Sequence, residues 1–306
     1  MKDFKRIMLC LDFTAMDNML VDYLSFLCKQ HKPEKIYFIH VSKHLSVESE
    51  LKEKFPELAE PRDEKLEHDM KEMVATHFPD VKNFDVEYKV IEGSPLKEIL
   101  HWSQIKNIDL LLLGRKRKLT GSGVLPDNIS RKINCSLFFV NESPALQLKN
   151  IFVPSDFSKN SILALKEAVA IAETYPEPKI YFHHIYQLPT GYYKTGKSEE
   201  EFAQIMRENA VKKYLKVIEE NGLEKVPITP VYTFDEDQSH SELILQKALD
   251  KKADLIIVGA KGRTFTTALL LGSVTEKLLR INKEIPTLVV KVKNKNLDLL
   301  EWLKIV

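Results

Sequence analysis

The chain repeats itself once, and that repeat limits its folds more than any other feature. Residues 6–12 read RIMLCLD followed by Phe-Thr, and residues 150–156 read NIFVPSD followed by Phe-Ser. Asp12 and Asp156 stand 144 residues apart, as do His40 in KIYFIHV (35–41) and His184 in KIYFHHIY (179–186). IDLLLLG at 108–114 matches ADLIIVG at 253–259, with Gly114 and Gly259 offset by 145. SLFFV at 136–140 matches TLVVKV at 287–292. Four landmarks in one order read as a tandem duplication. The domains are 1–146 and 147–293, followed by a helical tail at 294–306. The 306 residues suit two domains of about 150 each.

Within each half, apolar strands alternate with helical stretches. Ser158 is placed to cap a helix whose Ile162, Leu165, Val169 and Ala172 share a face. Its counterpart, from about Asp17 to Cys28, carries Leu20, Leu24 and Leu27. The charged stretches 48–77 and 198–221 read as second helices. VEYKVI (86–91) and ITPVYTF (228–234) read as third strands, with helices following at 95–106 and 240–251. Near-continuous apolar strands joined by helices imply a parallel sheet buried on both faces. The expected fold is α/β: two tandem, doubly wound, mostly parallel five-stranded sheets. Such sheets take ligands at the carboxyl ends of their strands.

Charge is nearly balanced, 45 Lys+Arg against 44 Asp+Glu, which argues against a nucleic-acid or membrane-surface partner. With 44% hydrophobic and 29% charged residues, the chain reads as globular. Cys10, Cys28 and Cys135 show no CxxC spacing and suit a reducing compartment. The N-terminal apolar run is too short for a secretory signal, and no run has the length of a membrane span. The expectation is a cytoplasmic protein.

Glycine is scarce, 10 residues where average usage would give roughly 21. Six lie within 114–123 and 259–272. In the second set, Gly259 is followed after two residues by Gly262, and after nine more by Gly272-Ser273. Gly259 and Gly262 can let backbone approach a ligand. Gly272-Ser273 opens a helix over 274–280, whose free amides and dipole suit an anion. Ser273 and Thr275 would add hydroxyl donors. The arrangement suits a polyphosphate.

This Gly-x2-Gly-x9-Gly-Ser pattern, with VPSDFS at 153–158, resembles the nucleotide-binding motif of the universal stress protein family. Strand order in both halves fits as well, over about 290 of the 306 residues. The fold implied is adenine nucleotide alpha hydrolase-like. By resemblance, the second half would bind ATP, with or without magnesium. Pro154, Ser155 and Asp156 would contact the nucleoside, and backbone near Ile185 would face the adenine. Gly259, Gly262, Gly272, Ser273 and Val274 would wrap the phosphates, with Lys261 and Arg263 adding charge. The resemblance also implies pairing of the two domains through their last strands, 136–140 and 287–292, with dimers of the whole chain as a further option.

The first half departs from the pattern. Arg117 stands where the second glycine would be, and Gly121-Ser122 follows Gly114 too soon. Arg115, Lys116, Arg117 and Lys118 fill the loop, and Cys10-Leu11 replaces Pro154-Ser155. This half is expected to have lost ordinary ATP binding. The competing reading is an altered anion site around Gly121-Ser122-Gly123.

Plainer readings stand beside these. Asp12 is read first as a cap and Asp156 first as a nucleotide contact. His40 and His184 are read as structural, because no HxxxH or HExxH spacing accompanies them, and His183 should face the other side of its strand. The four-residue basic run is read as a solvated loop. Leu299, Trp302 and Leu303 of the tail are read as packing on the body. The leading function is a stress-response protein that binds an adenine nucleotide and links it to association. One rival is a slow magnesium-dependent ATPase, although no catalytic motif places a general base. The other is a ligand-independent dimer scaffold.

Overall fold

The computed structural model describes residues 4–45, 62–116, 124–176, 178–236, 238–262 and 271–293. They form two compact units. The first holds the described residues up to Leu146 together with Val292 and Lys293, and the second holds Gln147–Lys291.

The first unit runs β1 (Arg6–Leu11), α1 (Ala15–Cys28), β2 (Lys35–Ser42), α2 (Arg62–His77), β3 (Val86–Glu92), α3 (Pro95–Ile105), β4 (Leu110–Arg115), α4 (Val124–Lys132) and β5 (Ser136–Asn141). Its strands lie in the order β3-β2-β1-β4-β5. The second runs β6 (Asn150–Pro154), α5 (Lys159–Ala172), β7 (Lys179–Tyr186), α6 (Glu199–Glu220), β8 (Ile228–Phe234), α7 (His240–Asp250), β9 (Leu255–Gly259), α8 (Ser273–Ile281) and β10 (Thr287–Val290). Its order is β10-β9-β6-β7-β8. Every pairing within each unit is parallel. The alternation read from the sequence is the architecture found. Residues 48–61 and the tail at 294–306 lie outside the described residues.

The central strands are apolar because helices cover both faces, whereas the edge strands β3 and β8 carry polar residues. Ile151, Phe152 and Val153 are fully buried, as are Leu255, Ile256 and Ile257. On one face of the second sheet, Phe152 and Ile256 pack against Ile244 and Ala248 of α7 and Leu278 of α8. On the other, Phe182 meets Tyr214 of α6 at 5.1 Å between ring centres. A large side chain so enclosed contributes on the order of 1.5–3 kcal/mol.

Local devices recur in both units. Phe13 and Phe157, after the first strand of each, adopt left-handed backbone at φ 57° and 62°. Asn107 and Lys252 do so at 52° and 50°. Asp109 accepts hydrogen bonds from the Lys5 and Arg6 amides, and Asp254 from those of Lys149 and Asn150. These carboxylates are engaged ahead of β4 and β9. The strands therefore start at Leu110 and Leu255 rather than at 108 and 253. Ser158 caps α5 by accepting from the Ser161 amide at 3.3 Å. Ser198 and Glu201 form a reciprocal capping box on α6.

In each unit the chain winds outward from the first strand, then returns to its other side. The turning point lies between β1 and β4, and between β6 and β9. There, adjacent loops leave the sheet in opposite directions and open a crevice.

Candidate functional site

The second unit holds a cleft of about 470 Å³ at this turning point. Pockets for small organic ligands run about 300–1,000 Å³. The ends of β6, β7 and β9, the start of α8 and one face of α6 line it. Pro154, Ser155, Asp156, Ile185, Gly259, Lys261, Gly262, Gly272, Ser273 and Val274 all border it. The sequence-derived residues are thus brought together, except Arg263, which lies outside the described residues.

Asp156 is the pivot of one wall. Its Oδ1 accepts from the Ser158 amide at 3.0 Å, closing a turn, while Ser158 caps the helix. Its Oδ2 faces the backbone of Gly262: a Cβ on Gly262 would lie 2.9 Å from it. A side chain at 262 would therefore have to displace the carboxylate. Ser155 supports the turn, because its Oγ accepts from the Phe157 amide at 3.1 Å and lies 2.9 Å from Ser161 Oγ. The hydroxyl of Ser155 is engaged by the protein itself.

The opposite wall is the opening of α8. Gly272 donates its N–H to Ala260 O at 2.8 Å, fastening the two ends of the loop together. The amides of Ser273, Val274 and Thr275 begin the helix and have no intrahelical acceptor. With the dipole, they make this end a place for negative charge. Ser273 is exposed and Val274 half-buried. Burial holds the Lys261 ammonium below its ordinary pKa.

One expectation is corrected and one residue gains a second reason for its identity. Thr275 is no hydroxyl donor to a ligand, since its Oγ1 donates to Gly259 O at 3.0 Å and is buried. It locks the first turn of α8 to the end of β9. Gly259 borders the cleft and also has a packing reason to be glycine. A Cβ there would lie 2.6 Å from the backbone carbon of Asn160 in α5.

The histidines behave as the plainer reading expects. His184 Nδ1 bonds Ser155 O at 2.8 Å, as His40 Nδ1 bonds Leu11 O at 2.9 Å. Each ring packs on the left-handed phenylalanine, at 4.3 and 4.7 Å. His183 turns to the other face, where Nε2 meets Thr233 Oγ1 at 2.9 Å. Burial pushes its pKa down to about 3, with the neighbouring His184 and Lys247 adding to the effect. It is neutral at physiological pH.

Sequence reasoning missed Gln187, His240, Met206, Asn209 and Lys213, which also line the cleft. Met206, Asn209 and Lys213 recur at helical spacing along α6, a signal that marks a face without saying what it faces.

The first unit keeps the position but not the space, with a cavity of about 130 Å³. Leu11, Met16, Asp17 and Ile39 occupy the places of Ser155, Asn160, Ser161 and His183. A Cβ on Gly114 would lie 2.5 Å from Met16 Cγ, so that side chain already covers the glycine. Lys116 pairs with Asp12 at 3.3 Å, and Arg115 with Asp127 at 3.4 Å. Asp12 also accepts from Thr14 Oγ1 at 2.6 Å. It braces the turn before α1, with Thr14 as the cap residue. Asp17 Oδ2 accepts from the amides of Asp12 and Phe13 at 2.9 and 2.6 Å. It does for Phe13 what Ser155 Oγ does for Phe157. Burial, then the nearby Asp12 charge, raise the Asp17 pKa to about 7 despite those bonds. Arg117, Lys118, Gly121, Ser122 and Gly123 lie outside the described residues.

A doubly wound parallel sheet with a ligand-sized crevice at its turning point defines the class. The chain belongs to the universal stress protein family, whose model matches residues 3–140 and again 147–291. The chain is 30% identical over 167 residues to Universal stress protein MJ0577 of Methanocaldococcus jannaschii, covering 49% of this chain and 99% of that one. It is 32% identical over 152 residues to MJ0531 of the same organism, covering 48% and 84%. A universal stress protein structure from Archaeoglobus fulgidus covers 94% of this chain and 99% of its own, with a TM-score of 0.65 and 20% identity. A further universal stress protein has been solved in complex with cAMP, with a TM-score of 0.32, 14% identity and coverage of 46% of this chain and 98% of its own. Among the described residues, no helix is long and apolar enough to cross a membrane.

Proposed function

We propose that the second unit binds ATP or a closely related adenine nucleotide, and that this binding is how the protein takes part in a stress response. The single observation that carries the reading is the pairing of two walls in one cleft of about 470 Å³. On one side stands Asp156, able to accept ribose hydroxyls. On the other stands the open start of α8, suited to phosphate. Gly262 lies against Asp156, where any side chain would displace the carboxylate. Lys261, held below its ordinary pKa by burial, gains charge stabilisation when phosphate arrives. Magnesium would accompany a triphosphate by neutralising its oxygens.

Binding is the proposed activity, with turnover at most slow. The protein would act in the cytoplasm, and nucleotide would stabilise it by mass action and bias its self-association. Native mass spectrometry of freshly purified chain tests the reading. One ATP-sized mass per chain, removed by Gly262→Val, is expected. No adduct even after addition of ATP would overturn it. Light scattering with and without ATP tests the link to association, which fails if the mass is unchanged.

A further inference from the structure

The cleft of the second unit ends in a polar cluster that the first unit lacks. Asp235 follows β8, Gln187 follows β7, and His240 opens α7. Gln187 Nε2 donates to Asp235 Oδ2 at 2.5 Å, and His240 Nε2 lies 3.0 Å from the same oxygen. The two nitrogens are 3.1 Å apart. Asp235 is buried, and its other oxygen accepts from the Gln238 amide at 2.8 Å. Burial alone would raise its pKa. The hydrogen bonds from Gln187, the Gln238 amide and His240 outweigh that and hold it below the ordinary value. It is a fixed anion around which Gln187 and His240 are set.

The loop that makes this possible is specific to the second copy. Between β3 and α3 lie two residues, Gly93 and Ser94, whereas between β8 and α7 lie five, 235–239. Pro95 stands where His240 opens the equivalent helix. The longer loop is also fastened to the anion-binding helix, since Lys277 of α8 donates to Ser239 Oγ at 2.8 Å.

Strand order says which part of a ligand this cluster meets. The anion end lies at β9 and α8, Asp156 follows β6 one strand away, and Gln187 and Asp235 follow β7 and β8. From β9 to β8 is three strand spacings, roughly 14 Å. A nucleotide with phosphates at α8 and ribose at Asp156 therefore lays its base at the β7–β8 end. A carboxylate only accepts, so the Gln187 amide nitrogen must face Asp235. The carbonyl Oε1, which accepts no bond among the described residues, is the end left to meet a base.

We propose that Gln187, oriented by Asp235, reads the 6-position of a purine through its carbonyl oxygen and selects a 6-amino base against a 6-oxo base. This rests on the nucleotide reading of the cleft above. A 6-amino group donates to Oε1, whereas a 6-oxo group sets two acceptors against each other. Asp235 is a positioning residue, and His240 packs the amide from its far side.

ATP and inosine triphosphate, which share phosphates and ribose and differ only at the 6-position and the N1 proton, are the probes. Calorimetric titration of the full chain should give a preference for ATP of about tenfold or more. Gln187→Leu should bring that ratio below about threefold with ATP still bound. Asp235→Asn, which removes the obligate acceptor but keeps the size, should lower it as well. A ratio unchanged in both variants, with ATP still bound, overturns this inference and leaves the nucleotide reading standing. Failure of the unaltered chain to bind either triphosphate overturns both.

Discussion

The two clefts occupy the same place in two copies of one fold, yet one is open and the other filled. Backbone geometry is common to both, down to the left-handed phenylalanines and the histidine bonded to the first loop. The difference lies in a few side chains. Ser155, Asn160 and Ser161 leave about 470 Å³, whereas Leu11, Met16 and Asp17 leave about 130 Å³. Two basic residues that lead into the first unit's loop, Arg115 and Lys116, are already paired with Asp127 and Asp12. An arriving anion would have to replace those partners. A duplicated fold can thus keep its scaffold while one copy closes its site with its own residues.

Six substitutions, in four comparisons, break or sharpen that contrast. The largest effect is expected from Gly262→Arg, which gives the second unit the residue found at 117. Its Cβ would sit 2.9 Å from Asp156 Oδ2, and the guanidinium would pair with that carboxylate. ATP affinity should fall by at least about 100-fold, or roughly 2.7 kcal/mol, in calorimetric titration. Retained affinity would show that the closed first cleft owes nothing to position 117.

Next come the two strand-end glycines. Gly259→Ala drives a methyl into Asn160 backbone and should destabilise the second unit by about 2 kcal/mol. Gly114→Ala meets only the flexible Met16 side chain and should cost about 1 kcal/mol or less. Equal shifts in denaturant midpoint would show that the glycines answer one demand in both units.

Asp17 gives a pH-dependent contrast, because the second unit has serine there. Its folded pKa of about 7 exceeds the unfolded value of 3.8. The folded form keeps its proton while the unfolded chain loses it. Stability from this group is therefore full below about pH 4 and is lost as pH rises to about 7. Asp17→Asn should remove that loss and raise first-unit stability at pH 8 by about 2 kcal/mol. A shift of this size would give about 4 kcal/mol at 1.36 kcal/mol per unit, but the amide accepts the two backbone bonds more weakly. Denaturation curves at pH 4.5 and 8 check it, and parallel pH trends in both proteins would count against it. The smallest effect concerns the caps: Ser158→Ala should cost about 1 kcal/mol, because Ser158 bonds the Ser161 amide. Thr14→Ala removes no side-chain cap bond and should cost less, unless its bond to Asp12 proves the stronger contact.

Much of this was legible in the chain. The repeat, with its offsets of 144 and 145 residues, implied two copies of one α/β fold. Apolar runs and helical spacing placed the elements to within a few residues. The spaced glycines and Asp156 marked one cleft, and Arg117 marked its counterpart as altered. These are local patterns, and local patterns follow from backbone period and capping chemistry.

Contacts between residues distant in sequence were decided only by the tertiary structure. Gly259 could be seen as a glycine with a purpose, but its packing against the Asn160 backbone, 99 residues away, could not. Thr275 looked like a free donor until its partner, Gly259 O, was in place. Gln187, Asp235 and His240 form no motif, because they come from the ends of three elements that meet only when the sheet is wound. A side chain's hydrogen-bonding capacity is written in its chemistry. Whether that capacity is left for a ligand depends on which neighbours the fold brings within about 3 Å.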